Sequence, residues 1–538
     1  MITNKTILLV CKETSSFPMY FLGKELEKNN SVHYFFIHNH EVLNKDYFNI
    51  DTFFYFKKKI NNKNIHDVND LNIKFLKNRK SIKIDLNRLE EIEKKYTHFT
   101  NLNKQLLSSQ YTSTNYHDRF YYPYSSYEES IYWLILNYDK SEHLIEKIHP
   151  DYIFDLDTGE IQRTIINEIA HYKNIPSINQ DHSRYKDFIL PYFSLGRKLD
   201  DYFINAYNRN KNSNETELEN YIIEIKDYRV QKTIMPEIYK GDITSKYNYS
   251  FSEALKFILL KTYGFFRNQV YSLINDKIKI PINTPLFSNP YKRIIYSILK
   301  AIKTFYLYSK FNKYFEIPKD EKYIYLPLHQ IPESSTYISA PMYINELSLV
   351  EAISKSLPIS WKLYVKEHQS MIGKRRLQFY KKIKTLHNVK IVKSNFYKDP
   401  KPWIEKSLGI VTITGTTAFE ASMLNKPAIV FGNAFYNVIT GIKIANSFND
   451  LEKLFKIIET NDWPQDNSID CAAYLKTVKE VGVPLNIKSL TNLSKKKIIS
   501  QSLDHEEENE LKKMIKKLIS FYESAADIYK QQQRKIKL

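Results

Sequence analysis

The chain reads as an α/β protein with two Rossmann-like domains facing a cleft, helical insertions and a C-terminal helix. Three observations predict this. Short apolar or β-branched runs at 363–365, 389–392, 410–413 and 428–431 alternate with helical segments, the pattern of parallel strands joined by crossover helices. The same alternation opens the chain, as a strand over 6–11, a helix over 19–28 and a strand over 31–38. At 538 residues the chain also exceeds a single core, since domains run to about 100–200 residues.

Composition narrows the class. Apolar residues at 43% and aromatics at 14%, with 42 tyrosines, supply a large core and exclude global disorder. The formal charge of +19 favours anionic partners: nucleic acid, anionic lipid or an acidic glycan. No nucleic-acid-binding motif is present, so nucleic acid is set aside. Cys11 and Cys471 are too few for a disulfide framework and point to a reducing compartment. The apolar run 7–10 is too short for a signal-peptide core, and no run approaches the ~18 residues of a spanning helix. The expectation is a cytoplasmic protein with a possible peripheral membrane contact.

In order, residues 1–207 form the first Rossmann-like domain, with an insertion at about 41–125 that carries one helix near 86–107. The opening lacks G-x-G-x-x-G, so no dinucleotide cofactor is indicated. A helical pattern over 126–148 leads to a strand at 151–155, a turn, a helix over 161–173 and a strand at 176–179. Asp157 and Glu160 after the first of these strands, and Asp181 and His182 after the second, are the candidate bases for an acceptor hydroxyl. Asp157 or Thr158 at a helix N-cap is the competing structural role. Asp155-Leu156-Asp157 spells Asp-x-Asp, which keeps a metal-dependent alternative open.

Residues 208–320 are a basic helical insert. Helices over 255–271 and 291–308 mix Lys and Arg with Phe, Tyr, Ile and Leu, a composition suited to a membrane interface and equally to an inter-domain core, with packing preferred. The second Rossmann-like domain, holding the donor, spans 321–495, and 496–538 is the C-terminal helix, closing on the outside. After 432 the expectation is a helix at 450–459 and then an irregular region.

Two strand ends in the second domain carry the chemistry. Lys366, Glu367 and His368 follow one strand, and Thr414, Gly415, Thr416 and Thr417 lead into the helix that holds Glu420. A Gly-Thr-Thr turn at a helix start offers N–H groups, hydroxyls and the positive dipole end to a phosphate. Residues 417–420 also fit the S/T-x-x-E capping box, a purely structural role. Glu333, Ser334 and Ser335, after the first strand of this domain, are further candidates for phosphate or sugar.

Residues 366–368, 371–375, 414–421 and 426–432, with the segment 329–336, resemble motifs of the capsule polysaccharide biosynthesis family, whose characterised members include β-Kdo transferases. Gln369 stands where the family has Pro, leaving the backbone beside His368 less restricted. The resemblance implies a GT-B-type, metal-independent glycosyltransferase with His368 among its catalytic groups. It implies CMP-Kdo or another CMP-linked ulosonic acid as donor, no other cofactor, and an anionic glycan or glycolipid acceptor in capsule or lipopolysaccharide assembly. A polyol-phosphate transferase or nucleotide-sugar epimerase of the same fold, and a non-catalytic glycan-export scaffold, remain as alternatives.

Overall fold

A computed structural model describes residues 2–38, 41–43, 49–51, 56–79, 81–97, 102–108, 126–157, 159, 161–234, 249–274, 290–331, 333–394, 396–397, 399–500 and 502–536. The strands are β1 (Thr6–Lys12), β2 (Ser31–His38), β3 (Glu41–Leu43), β4 (Asn49–Asp51), β5 (Ile65–Asp67), β6 (Tyr152–Phe154), β7 (Ser177–His182) and β8 (Phe188–Tyr192) in the first part. They continue as β9 (Tyr323–Pro327), β10 (Lys362–Lys366), β11 (Val389–Val392), β12 (Gly409–Thr412), β13 (Ala428–Val430), β14 (Ile442–Ile444) and β15 (Val483–Pro484).

The first sheet runs β15-β8-β7-β6-β1-β2-β5, parallel from β7 to β5, with β8 antiparallel to both its neighbours, β7 and the edge strand β15. Alternation along β1 sorts its side chains to two cores. Ile7, Leu9 and Cys11 meet the helices Ser16–Leu26 and His505–Ile536, while Leu8 and Val10 meet Tyr127–Ile148 and Ile161–Tyr172. Both faces are covered, as a parallel sheet requires.

The second sheet is wholly parallel in the order β11-β10-β9-β12-β13-β14. Counted along the chain this is 3-2-1-4-5-6, the doubly wound Rossmann order, with the strand order reversing between β9 and β12. The chain is therefore α/β with two Rossmann-like sheets.

Four expectations need correction. Residues 460–495 are not irregular: they form the helices Ser468–Val481 and Ile487–Ser500. The first is buried over most of its circumference, with Cys471, Ala472, Ala473, Tyr474 and Leu475 at 0% exposure, so it shows only a narrow polar stripe. The boundary at 495 also moves, because β15 pairs with β8 and returns the chain to the first sheet. The helix His505–Ile536 does not close on the outside but buries Leu518, Phe521, Tyr522 and Ala525 against β1 and β6. Within the insertion, the single helix near 86–107 is two, Leu86–Tyr96 and Leu102–Ser108.

The early part of the basic insert belongs to the second domain. Helices Asp201–Lys211 and Glu215–Val230 bury Phe203, Tyr207, Leu218 and Ile225 in the core that holds Trp403, Ile410 and Tyr474. The two halves meet directly, with Tyr192 stacked on Phe435 at 4.3 Å between ring centroids and Asn433 Nδ2 donating to Gly196 O at 3.2 Å.

Candidate functional site

The site is built where the second sheet reverses. β9 and β12 are neighbours, and the loops leaving their carboxyl ends diverge to open a crevice. His329 follows β9 and is 8% exposed. Its Nε2 accepts the N–H of Thr414 at 3.3 Å and lies 3.2 Å from Thr412 Oγ1, which assigns the ring proton to Nδ1, 3.6 Å from Glu346 Oε1. His329 thereby clamps the turn after β12. That turn must be glycine at 415, since a Cβ there would stand 2.5 Å from Thr412 Oγ1 and 3.4 Å from His329 Nε2.

Gly415 is the N-cap of the helix Thr416–Met423, at φ −72° and ψ 146°. This register removes the capping box: Thr417 and Glu420 lie inside the helix, and no side chain caps it. The first N–H groups of the helix, from Thr416 and Thr417, have no intrahelical acceptor. Tyr436 pins the cap from beyond β13 by donating its hydroxyl to Gly415 O at 2.9 Å. Beside it the hydroxyl of Thr414 is buried with no hydrogen-bond partner among the described residues.

At the end of β10 successive residues point to opposite sides. Lys366 faces the helix with Glu420, its ammonium 6.0 Å from the Trp403 ring centroid. Burial pulls Lys366 down to about 8, against the attraction of Glu420 and Asp399. Burial likewise pushes the Glu420 carboxyl up to about 7, with Asp399 adding to the rise while Lys366 and Arg184 oppose it. Among the described residues no hydrogen bond or ion pair holds the Glu420 carboxylate.

Glu367 turns the other way. Its carboxylate accepts from Arg375 Nε at 2.9 Å, the Tyr380 hydroxyl at 2.6 Å and the backbone N–H of His368 at 2.7 Å. Arg375 also donates to His329 O at 2.8 Å and pairs with Glu346, tying together the loops after β9 and β10. Glu367, 1% exposed, is thus a positioning residue under the site rather than a group facing a ligand. His368 accepts the N–H of Ser370 on Nδ1 at 3.2 Å, leaving Nε2–H free to donate. Burial, then His329 and Arg375, push the imidazole down to about 4, so the ring is neutral at pH 7.

The first domain presents a ladder of alternating charge. Asp155, buried and pushed up to about 7 by burial, accepts from Arg163 Nε at 2.7 Å. Arg163 and Arg197 both hold Asp157, at 3.3 and 3.0 Å, and Arg197 continues to Asp181 at 3.5 Å. Burial would raise Asp157, but Arg163, Arg197 and Lys12 hold it below the usual carboxylate value. Asp157 is therefore a weak proton acceptor, and both carboxylates of the Asp-x-Asp triplet are taken by guanidinium groups. Asp181 accepts the N–H of His182 at 2.7 Å, and His182 Nδ1 accepts that of Arg184 at 2.9 Å. Arg184, at φ +69°, carries its charge toward Glu333, Tyr436 and Glu420 of the second domain.

The structure thus gathers Lys366, His368, Thr414, Gly415, Thr416, Thr417 and Glu420 around one helix start, with Arg184 opposite. Glu333 is exposed on the rim. Glu160, and the side chains of Ser334 and Ser335, lie outside the described residues. Sequence reasoning missed His329, Arg184, Arg197 and Arg375. His329, two residues after β9, and Arg375 lay in segments that resembled family motifs without being assigned to the site; Arg184 and Arg197, placed by left-handed backbone, had no such signal.

Residues 281–452 match the family described as "Capsule polysaccharide biosynthesis protein". Over that stretch the chain is similar to the capsule polysaccharide biosynthesis family. The matched stretch contains β9 to β14 and every second-domain residue of the site. No curated protein matches the chain by sequence. Among solved structures, it is similar to a Thermosulfurimonas dismutans KpsC β-Kdo 2,4 transferase at 12% identity and TM-score 0.30, over 60% of this chain and 78% of that one. The T. dismutans KpsC β-Kdo 2,7 transferase is similar at 11% and 0.26, over 63% and 89%. A Neisseria meningitidis UDP-GlcNAc 2-epimerase bound to UDP-GlcNAc is similar at 13% and 0.23, over 88% and 99%.

Proposed function

We propose that the chain is a glycosyltransferase of capsule assembly, working on the cytoplasmic side. Its donor is a nucleotide-activated sugar, a CMP-linked ulosonic acid such as CMP-Kdo, and its acceptor an anionic glycan or glycolipid. One convergence inside the family-matched stretch carries this reading: the Thr416–Met423 helix start, the Thr414 hydroxyl, the His368 Nε2–H and the Lys366 ammonium all offer donors to one crevice.

Such a set fits the phosphate of a leaving nucleotide. Negative charge grows on that phosphate as the glycosidic bond breaks, and fixed donors stabilise it without a metal ion. Arg184, reaching from the first domain, adds a cation for an anionic sugar or acceptor. Glu420, near 7, has the proton affinity of a group that accepts and returns a proton at neutral pH. Asp157 orients Arg163 and Arg197 on the acceptor side, and Glu160 keeps its place there as a candidate base on sequence grounds.

Incubation with CMP-, UDP- and CDP-sugars, with and without an oligosaccharide acceptor, tests the reading. Acceptor-dependent release of free CMP is the expected result. Conversion of a UDP-sugar with no nucleotide released would establish epimerase chemistry, and turnover of no donor would leave the scaffold.

A further inference from the structure

Away from the cleft, the helices Phe251–Ile274 and Pro290–Ser309 pack side by side, with Phe251 against Phe305 at 5.8 Å and Tyr249 near Tyr308 at 6.3 Å between ring centroids. The second helix is anchored in the body. Leu307 is buried in the core of the second domain, and Thr304 lies so close to Gly373 that a Cβ there would stand 1.7 Å from its hydroxyl.

Other faces of the pair are apolar and uncovered. Leu255, Leu259, Tyr263 and Phe266 recur at helical spacing with exposures of 45%, 60%, 66% and 61%. Ile295, Leu299 and Ile302 do so on the second helix, at 55%, 43% and 52%. A contiguous apolar stripe of this kind marks a surface that meets something.

Charge decides what. In sequence the two helices carry seven Lys and Arg against one acid, Glu253. Lys300 is pushed down by burial and then by the charge of Lys261, which places a cation of the first helix close to one of the second. Among the described residues no helix is long and apolar enough to cross a membrane. Apolar stripes flanked by lysine, on helices that cannot span, suit the boundary between head groups and acyl chains of an anionic bilayer.

We propose that this helix pair is the face on which the protein lies against an anionic lipid surface. Leu259, Tyr263, Ile295 and Ile302 enter the acyl boundary and the lysines meet lipid phosphates. Because the second helix packs on Gly373, in the loop between His368 and Arg375, docking holds the crevice beside the membrane, within reach of a lipid-borne acceptor.

Co-sedimentation of the full chain with vesicles of phosphatidylcholine alone, and of phosphatidylcholine mixed with phosphatidylglycerol, tests this. The expected result is binding to the mixed vesicles, weakened by salt, and reduced about tenfold or more by Leu259→Glu with Tyr263→Glu. Ile302→Glu alone should act in the same direction should the double variant misfold. Both sets are exposed, so melting temperature and nucleotide binding stay unchanged. Failure to bind either vesicle, or equal binding to both, would overturn the proposal. So would a double variant that converts a wild-type dimer to monomer without altering vesicle binding, which would assign the stripe to a second copy of the chain.

Discussion

Glu420→Gln should make the protein more stable and less active. The Glu420 carboxyl stands at about 7, against roughly 4.5 in an unfolded chain, because burial disfavours its charge more than Lys366 and Arg184 favour it. A carboxyl raised in the folded state contributes most while protonated, and that contribution is lost as pH climbs from the unfolded value through about 7. Glutamine mimics the protonated form at every pH. At about 1.4 kcal/mol per unit, the variant should gain about 1 kcal/mol over wild type at pH 5 and about 3 kcal/mol at pH 8. For a domain of this size that is a rise of several degrees in Tm at pH 8, read by differential scanning calorimetry in paired buffers. Turnover should fall by about 10²–10⁴-fold if the carboxyl handles a proton. Equal Tm differences at the two pH values would refute the burial argument, and wild-type turnover would refute the assignment of Glu420 to the chemistry.

Three further outcomes follow from the geometry. His368→Ala removes a neutral N–H donor to a charged phosphate and should weaken donor binding by about 1.5–3 kcal/mol, roughly ten- to hundredfold by isothermal titration calorimetry, with Tm little changed. Gly415→Ala forces a methyl against Thr412 Oγ1 and should cost about 1–3 kcal/mol of stability together with nucleotide affinity, both visible in thermal shifts with and without CMP. Asp157→Asn leaves Arg163 and Arg197 without a full counter-charge, so kcat should drop while the Kd for nucleotide is unchanged; unaltered kcat in a correctly folded variant would remove Asp157 from the acceptor side.

What could be read from the amino acids was local. The strands β1, β2 and β9 to β13 are short apolar runs closed by polar turns, and their carboxyl ends fell where expected because a strand buried on both faces cannot hide its limits. Lys366, His368 and the Gly415 turn were visible as strand-end chemistry. The role of Glu367 was not, since only the fold brings Arg375 and Tyr380 under it. The capping box misled because its spacing is right and its register wrong by two residues: Gly415, not Thr417, is the N-cap. Ser468–Val481 escaped because most of its circumference is buried, which leaves only a narrow polar stripe.

The return of the chain to the first sheet sets a schedule for synthesis. Ile7, Leu9 and Phe154 are laid down early, yet Leu518, Phe521, Tyr522 and Ala525, which pack in the same core, leave the ribosome long after them. At about 5–20 residues per second the open face waits roughly 20–70 s after β7 emerges. During that interval one side of the nascent first domain is covered only in part, by the helix Ser16–Leu26, which makes it a substrate for chaperones. Emergence of the helix His505–Ile536 is the event that completes its cover, so a ribosome stalled before that helix leaves an aggregation-prone fragment rather than a shortened protein.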